Sequence, residues 1–429
     1  MRLWLFLRLW SLLWHLCLPI ILIYLWKRAR KDPLYNQHLG ERFGRYGRDL
    51  PGAIWVHAVS LGELRSAVPL IRALLDRGEK VVTTHFTPAG RREAERAFAP
   101  EIAAGRLSAV WVPFETSWAY AGFFQAFRPK LGLVMEIEIW PRMIFAAKSA
   151  GVPLFMCNAQ YPTKSMARDA KLKLRHRLMQ GYAGAFVKSD LQRDRFASVG
   201  VRNIQVTGEL RFDQPIPEAQ LEAARALRPL IKAPRVIALA SITQPEEALF
   251  LDVIQRLMAT PEPPLIILIP RAPERFGLVA EALAVRGLTS ARRTSLLDQG
   301  LVLTDPDAAQ PLRAGTVLLG DSLGEMYFYL EMADRVVIGG GFQPKGSHNI
   351  IEPLALGKPV IVGPEIHTIE YPAVEAIAAG VCLQSTAETL ASDVEAWPDP
   401  APKEIADFIA AHSGAGARTM AAIEPLLKP

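Results

Sequence analysis

Short β-branched runs alternate with helical stretches along most of this chain, in two series separated by a proline-rich segment at residues 211–234. Continuous apolar strands with intervening helices are typical of parallel sheets that are covered on both faces. We therefore predict an α/β protein of two Rossmann-like domains, residues 32–210 and 235–429, joined by a linker, which suits a length of 429 residues. Ligands of open α/β sheets bind beyond the carboxyl ends of the strands, so two facing domains imply a cleft between them. Strands are expected at residues 54–59, 81–85, 109–113, 131–135, 154–158, 185–188, 204–207, 236–240, 265–269, 301–304, 317–319, 336–338 and 360–362.

The first 31 residues differ from the rest in composition. Residues 9–26 form an 18-residue run without a charged side chain, which as a helix would span roughly 27 Å, just short of a hydrocarbon core of about 30 Å. Aromatic residues near its ends and the basic cluster that follows predict an uncleaved membrane anchor at residues 1–31, with the body of the chain cytoplasmic. A cleaved signal peptide is the weaker alternative, because no small-residue cleavage site follows. Pro19 and His15 interrupt the run, so spanning the bilayer and lying in one leaflet both stay open.

The body of the chain is electrically balanced. The net charge of +6 comes from the first 31 residues, because residues 32–429 hold 43 basic and 43 acidic side chains. This balance argues against a nucleic-acid partner. The 3 cysteines are far apart and the histidines show no ligand spacing, so we predict neither a disulfide framework nor a metal site.

Carboxylates follow two of the predicted strands in the first domain. Glu63 lies where a helix begins after strand 54–59, and the single glycine there argues against a dinucleotide-binding G-x-G-x-x-G turn. Glu63 is either a carboxylate favourably placed in a first helical turn or a general base. Glu136 and Glu138 follow strand 131–135 and share one face only if that strand continues. Because burying an unpartnered carboxylate is costly, at least one of them is expected to be functional or hydrogen-bonded.

A glycine-rich turn at residues 339–349 follows a strand of the second domain. Glycines let the backbone approach a ligand, and the helix that opens there would offer N–H groups to a phosphate. Ser347 stands where a Walker A motif requires lysine, so the turn is not a P-loop of that kind. Glu352, three residues after Asn349 on the same helix face, would either accept hydrogen bonds from ribose hydroxyls or be a solvated helix residue.

Three other strand ends could contact the same ligand. Arg271 follows strand 265–269, and its fork-shaped guanidinium suits phosphate oxygens, although a salt bridge is an equal alternative. Ser241 follows strand 236–240 and would donate to a phosphate or cap the next helix. Gly324 and Glu325 lie in a second glycine turn that could supply backbone N–H groups.

These motifs, in this order, resemble the Kdo transferases of lipopolysaccharide assembly, which are GT-B glycosyltransferases that use CMP-Kdo (Kdo is 3-deoxy-D-manno-oct-2-ulosonic acid). The resemblance covers most of the chain after residue 31. It implies metal- and cofactor-independent transfer of Kdo to the lipid A precursor with release of CMP. It also implies a single anchor in the inner membrane and cytoplasmic catalytic domains. The segments that carry it are 55–63, 135–141, 158–159, 207–213, 270–276, 320–326 and 339–353.

The resemblance implies roles for individual residues. Glu63 would be the general base that takes the proton from the acceptor hydroxyl. Glu138, or less so Glu136, would lie on the acceptor side, which makes residues 32–210 the acceptor domain. The donor nucleotide would be bound within residues 235–429 by Ser241, Arg271, Gly324, Glu325, Ser347, Asn349 and Glu352.

The chain departs from the family's pattern at several positions. Gln160 stands where the family has an arginine, and Ala272 stands where a histidine is common. Two alternatives therefore stay open: a GT-B transferase with a different nucleotide sugar, and a non-catalytic descendant that binds lipid or a partner. The retained Glu63 and Glu352 count against the second alternative.

Overall fold

A computed structural model describes residues 3–170, 173–305 and 307–427. By contacts the chain divides into two units, of which the first comprises Met1–Gln214 and Ser413–Pro429 and the second comprises Pro215–His412. Each unit is built on a parallel β-sheet flanked by helices. This architecture confirms the predicted α/β class with two Rossmann-like domains.

Among the described residues of the first unit, seven parallel strands form one sheet in the order β3-β2-β1-β4-β5-β6-β7. The strands are β1 (Ile54–His57), β2 (Val81–His85), β3 (Leu107–Trp111), β4 (Leu131–Met135), β5 (Leu154–Ala159), β6 (Gly184–Val187) and β7 (Ile204–Val206). The helices are α1 (Leu3–Ala29), α2 (Leu39–Arg42), α3 (Leu61–Asp76), α4 (Pro88–Ala97), α5 (Ala99–Ala103), α6 (Ser117–Phe127), α7 (Pro141–Ser149), α8 (Thr163–Asp169), α9 (Leu174–Met179), α10 (Asp190–Ser198) and, from the end of the chain, α20 (Ala415–Leu427). β1 and β4 are buried throughout and pair directly, so their carboxyl ends adjoin.

The described residues of the second unit form a second seven-stranded parallel sheet, in the order β10-β11-β9-β8-β12-β13-β14. The strands are β8 (Val236–Ile242), β9 (Leu265–Pro270), β10 (Ser290–Arg292), β11 (Val317–Leu319), β12 (Arg335–Ile338), β13 (Val360–Val362) and β14 (Cys382–Gln384). The helices are α11 (Glu218–Leu227), α12 (Glu247–Met258), α13 (Phe276–Val285), α14 (Arg293–Leu296), α15 (Met326–Met332), α16 (Ile351–Ala355), α17 (Glu370–Ala378), α18 (Leu390–Ala396) and α19 (Pro402–His412). Four neighbouring strands, β11, β9, β8 and β12, carry every predicted donor-side segment at their carboxyl ends.

One predicted strand is wrong. Residues 298–302 form a turn, in which the Asp298 carboxylate accepts hydrogen bonds from the N–H groups of Gly300 (2.8 Å) and Val302 (3.0 Å), and Leu303 makes only an isolated bridge with Leu297. Leu301 takes a left-handed φ of 63° in this turn. The edge of the sheet is formed instead by β10, whose two exposed outer residues hide it from a search for apolar runs.

The last helix belongs to the first unit, whereas the sequence placed residues 235–429 together. Ala422 and Ile423 of α20 are buried in the core that contains the apolar face of α3. The Asp213 carboxylate accepts hydrogen bonds from the N–H groups of Gly414 and Gly416, both at 2.6 Å. Most of the predicted linker lies in the second unit, where Gln220 of α11 donates to the Gly324 carbonyl oxygen (2.8 Å).

Within the predicted anchor, residues 1–31, the helix α1 covers Leu3–Ala29. Residues 1 and 2 lie outside the described residues. α1 is long and apolar enough to cross a membrane, by length and composition alone. Its exposed side chains are mostly large and apolar, for example Leu16 and Ile20. A surface of this kind is typical of contact with lipid or with another protein.

Candidate functional site

Glu63 lies in the first turn of α3, directly beyond the carboxyl end of β1. Ser60 caps the helix, because its side-chain oxygen accepts from the Glu63 N–H (3.3 Å) and its hydroxyl donates to Glu63 Oε1 (2.8 Å). The Val59 N–H donates to Glu63 Oε2 (2.9 Å). The carboxylate therefore takes part in the hydrogen bonds at the start of α3, as expected of a glutamate placed in a first helical turn. Each carboxylate oxygen keeps a second lone pair, so capping leaves the group able to accept a proton.

The environment of Glu63 makes it a stronger base than an ordinary carboxylate. Its residue is only 8% exposed. Burial and then the negative charge of Glu136 raise the pKa of Glu63 from 4.5 to about 8, although hydrogen bonds from Val59 and Ser60 oppose the shift. A pKa near neutrality suits a general base, because the group is then both available and strong enough to remove a proton. The structure thus supports both interpretations of Glu63 at once.

Glu136 and Glu138 lie beside Glu63 but point to different partners. β4 ends at Met135, and Glu136 takes a left-handed φ of 58°, so the two carboxylates do not share one strand face. Glu136 pairs with Arg211 (2.9 Å) and is partly exposed. Glu138 accepts from the Trp140 indole N–H (2.5 Å), and burial raises its pKa. Both predicted acceptor-side carboxylates are therefore hydrogen-bonded, Glu136 to a cation and Glu138 to an indole.

A buried polar network holds Trp140, the residue that bonds to Glu138 in the carboxylate cluster formed by Glu63, Glu136 and Glu138. The Thr84 hydroxyl accepts from the Trp55 indole (2.7 Å) and bonds to His57 Nδ1 (2.8 Å). His57 is fully buried, and burial lowers its pKa to about 3, so the imidazole is neutral. Its ring packs edge-on against Trp140, with centroids 5.4 Å apart. His57 thus positions the indole that holds Glu138.

Sequence reasoning did not single out a buried ion pair at the ends of β6 and β7. Lys188 Nζ lies 2.6 Å from Glu209 Oε2, and both side chains are almost completely buried. Asn158 Nδ2 donates to Glu209 Oε1 (2.7 Å). Burial alone would raise the pKa of Glu209, but the positive charges of Lys188 and Arg211 outweigh it and lower the pKa. Lys188 directly follows the buried strand β6 and Asn158 lies near the end of the buried strand β5, and these positions were the available signal.

The donor-side candidates of the second unit come together at adjoining strand ends. Ser241 lies in a bulge of β8 with a left-handed φ of 61°, next to the Gly339 turn after β12. The Arg271 backbone N–H donates to the Ile242 carbonyl oxygen (2.8 Å), which fixes the turn after β9, and the Arg271 side chain is exposed. Its positive charge reaches His348, whose pKa is lowered to about 4 by burial and then by Arg271.

Two N–H groups of the glycine-rich turn, those of Gly340 and Phe342, are hydrogen-bonded to an internal carboxylate, so these two do not face a ligand. The fully buried Glu246 carboxylate accepts from the N–H of Gly340 (2.7 Å) and of Phe342 (3.0 Å). It also accepts from the Thr243 hydroxyl (2.7 Å). The Glu246 carboxylate thus fixes the shape of the turn from inside the protein.

Two buried polar atoms beside this turn have no hydrogen-bond partner among the described residues: Ser347 Oγ and His348 Nε2. Gly341 must be glycine, because an added Cβ would lie 2.0 Å from Ser347 Oγ. A buried polar atom without a partner is costly, and a ligand that bonds to it recovers that cost. Ser347 and His348 are therefore the most suitable ligand contacts of the turn, and sequence reasoning had omitted the second.

The remaining candidates have defined positions. Asn349 Oδ1 accepts from the Ile351 N–H (3.0 Å) and so begins the five-residue helix α16. Glu352 lies in the first turn of α16, where its negative charge acts on the phenol of Tyr327. Glu325 is tied to the buried Arg293 (2.6 Å), so its carboxylate shapes the second glycine turn.

No group of three or more His, Cys, Asp or Glu side chains in the described part of the chain is arranged to hold a metal ion.

Comparisons with known proteins identify the family. Residues 37–214 match the family model described as 3-deoxy-D-manno-octulosonic-acid transferase (kdotransferase). The 3-deoxy-D-manno-octulosonic acid transferase of Bordetella pertussis is 38% identical over 426 residues, which cover 95% of this chain and 96% of the relative. The enzyme of the same name from Haemophilus influenzae is 30% identical over 394 residues, covering 89% and 88%. A glycosyltransferase structure from Rickettsia africae shares the fold, with a TM-score of 0.55 at 13% identity over 89% of this chain and 100% of its own. These matches confirm the resemblance inferred from the motifs: the chain belongs to the 3-deoxy-D-manno-octulosonic acid transferase family.

Proposed function

We propose that this glycosyltransferase moves Kdo from CMP-Kdo to a hydroxyl of the lipid A precursor, a phosphorylated glucosamine disaccharide, and releases CMP. The observation that carries the proposal is the buried Glu63 carboxylate, whose pKa is raised to about 8, at the end of β1 in a chain of the Kdo transferase family. The glycosidic bond forms between the acceptor oxygen and the anomeric carbon of Kdo. The bond between that carbon and the CMP phosphate oxygen breaks, and CMP leaves with the electron pair.

In this proposal Glu63 accepts the proton of the attacking hydroxyl. The two hydrogen bonds from Val59 and Ser60 hold the carboxylate in one orientation, so little reorganisation is needed when the proton arrives. Glu138 and Glu136 lie on the acceptor side, where partly desolvated carboxylates can bind sugar hydroxyls. Because Glu138 is fixed by Trp140, it is the better placed of the two to orient the acceptor.

The donor would bind at the adjoining ends of β11, β9, β8 and β12. Arg271 and the Ser347 hydroxyl are proposed to bind the phosphate, since one is an exposed cation and the other a buried donor without a partner among the described residues. Donors aimed at the leaving phosphate stabilise the charge that develops there. Glu352 and Asn349 would bind the nucleoside. Ser241, Gly324 and Glu325 would contribute to donor binding by fixing the shape of the turns in which they lie.

We also propose that α1 attaches the protein to the inner membrane and that both units are cytoplasmic. The support is the length and apolar composition of α1 and the basic residues that follow it within residues 27–31.

The test is CMP release by the purified full-length protein in detergent, given CMP-Kdo and the lipid A precursor. We expect release that requires the acceptor, is inhibited by CMP and not by UDP, and shows a raised KM for CMP-Kdo in Glu352→Ala. Inhibition by UDP instead of CMP would favour a transferase with a different nucleotide sugar. Absence of release together with absence of CMP binding would contradict the proposal.

A further inference from the structure

α1 is fixed along the first unit by polar contacts as well as by packing. The Trp10 indole donates to Glu115 Oε2 (3.0 Å), and Arg142 Nη2 donates to the Leu7 carbonyl oxygen (3.1 Å). The buried Glu115 carboxylate also accepts from the N–H groups of Arg142 and Met143, both at 2.8 Å, at the start of α7. One face of α1 is thereby held against the unit, while the opposite face is exposed.

An apolar pocket of about 200 Å³ lies between α1 and the carboxyl edge of the sheet. Ile21 and Leu25 of α1 form one wall, and Val112, Phe114 and Trp140 lie opposite. Phe86, which is 44% exposed, also lines the pocket and leaves it accessible from outside.

The one charged side chain among the residues lining this pocket does not make it polar. The Arg42 guanidinium lies 4.2 Å from the centroid of the Trp111 ring and donates to the Phe86 carbonyl oxygen (3.4 Å). It is therefore engaged with the protein through Nη2 and the Trp111 ring, while its buried Nε has no hydrogen-bond partner among the described residues. A pocket of this composition binds aliphatic chains rather than sugars, because sugar hydroxyls would lose their hydrogen bonds to water there.

Trp140 connects this pocket to the carboxylate cluster. One side of its indole lines the pocket, while its N–H donates to Glu138 and its ring packs against His57. A chain bound in the pocket would therefore place the group attached to it next to Glu138 and Glu63.

We propose that this pocket binds one acyl chain of the acceptor lipid, an inference that rests on the proposed function. Bulk phospholipids could also insert a chain, but the continuity through Trp140 favours a lipid whose headgroup carries the reacting hydroxyl. The helix α1 thus forms one wall of the site that binds the acceptor's acyl chain. The exposed face of the same helix, which includes Ile20 and Leu16, contacts the membrane.

The first experiment compares Ile21→Trp with the matched control Ile20→Trp. Ile21 lines the pocket, whereas Ile20, the residue before it, points away from the pocket and is 67% exposed. The readout is the preference for acylated over deacylated acceptor, taken as the ratio of the two kcat/KM values. Since each buried methylene is worth roughly a fourfold change in affinity, excluding about two of them should lower this preference by roughly 15-fold in Ile21→Trp. Ile20→Trp should keep the wild-type ratio, and equal ratios in both variants would overturn the proposal.

A second experiment needs no turnover and therefore separates this proposal from the proposed function. An acylated glucosamine disaccharide phosphate with a diazirine at the end of one chain is photolysed on the full-length protein, and the adducts are mapped by mass spectrometry. We expect labelling at Phe86 or at residues 112–114, reduced in Ile21→Trp and unaffected by excess phospholipid. Labelling confined to the exposed face of α1, or competed away by phospholipid, would overturn the proposal even if Kdo transfer is observed. Labelling in the pocket by a wild-type protein that transfers no Kdo would instead contradict the proposed function.

Discussion

Replacing Glu63 by glutamine should make the protein more stable while it abolishes most of its activity. Burial and the charge of Glu136 raise the pKa of Glu63 from 4.5 to about 8 in the folded protein. Between these pH values the folded state binds a proton that the unfolded state has lost. The wild-type protein therefore loses stability as the pH rises from 4.5 to 8, by about 1.4 kcal/mol per pH unit. Glutamine does not titrate and has no such loss.

The size of the effect follows from the same shift. Relative to wild type, Glu63→Gln should gain almost nothing at pH 4, about 3 kcal/mol at pH 7 and up to about 5 kcal/mol at pH 9. Glutamine can keep one hydrogen bond with the Val59 N–H and one with the Ser60 hydroxyl, so the capping arrangement is largely preserved. Loss of the general base should lower kcat about 10²- to 10⁴-fold.

The assay is urea unfolding at pH 5, 7 and 9 together with kcat/KM for CMP release from pH 5 to 9. Glu79→Gln is the matched control, because Glu79 forms a surface pair with Lys130 (3.1 Å) and should contribute less than about 1 kcal/mol. Wild-type kcat/KM should rise about tenfold per pH unit up to about pH 8 and then level off. A stability difference that stays constant with pH, or a Glu63→Gln variant with wild-type kcat, would refute the reasoning.

Three other predictions each replace one charged side chain by a neutral one. Glu136→Gln removes a charge that raises the pKa of Glu63, so the acid limb of the pH profile of kcat/KM should move to lower pH; an unmoved limb would contradict the electrostatic account. Lys188→Met leaves the buried Glu209 without its cation and should cost about 3–5 kcal/mol in urea unfolding, whereas a cost below 1 kcal/mol would show that the pair is not buried as described. Glu246→Gln weakens the hydrogen bonds that hold the glycine-rich turn and should lower the free energy of unfolding by about 1–3 kcal/mol. Calorimetry should also find weaker CMP binding, and unchanged binding would show that the turn is not part of the donor site.

The architecture could be predicted from the sequence because buried parallel strands consist of continuous runs of apolar residues. β4, for example, is buried at every position and was predicted with its observed bounds. The edge strands β10 and β14 were missed because a strand with exposed positions has no such run. The position of α20 was also not predictable locally, since its contacts with Asp213 join residues about 200 positions apart in sequence.

The candidate site was predictable in position and not in electrostatics. The location of Glu63 follows from a helix start after an apolar strand, but its pKa depends on a balance of burial, Glu136 and two hydrogen bonds that no spacing reveals. The glycine-rich turn is a second example, because the glycine pattern suggested free N–H groups. The Gly340 N–H instead bonds to the Glu246 carboxylate, 94 residues away in sequence, and the Phe342 N–H bonds to the same carboxylate. In both examples the properties of the site depend on side-chain partners that are far apart in sequence.

The most direct test of the account is the mass of the lipid product formed from CMP-Kdo and the lipid A precursor by wild type and by Glu63→Gln, at equal concentrations of folded protein. We expect a gain of one or more Kdo masses with wild type and almost none with the variant, while both still bind CMP. An unchanged lipid mass with the CMP-bound wild-type protein, or equal products from both proteins, would contradict it.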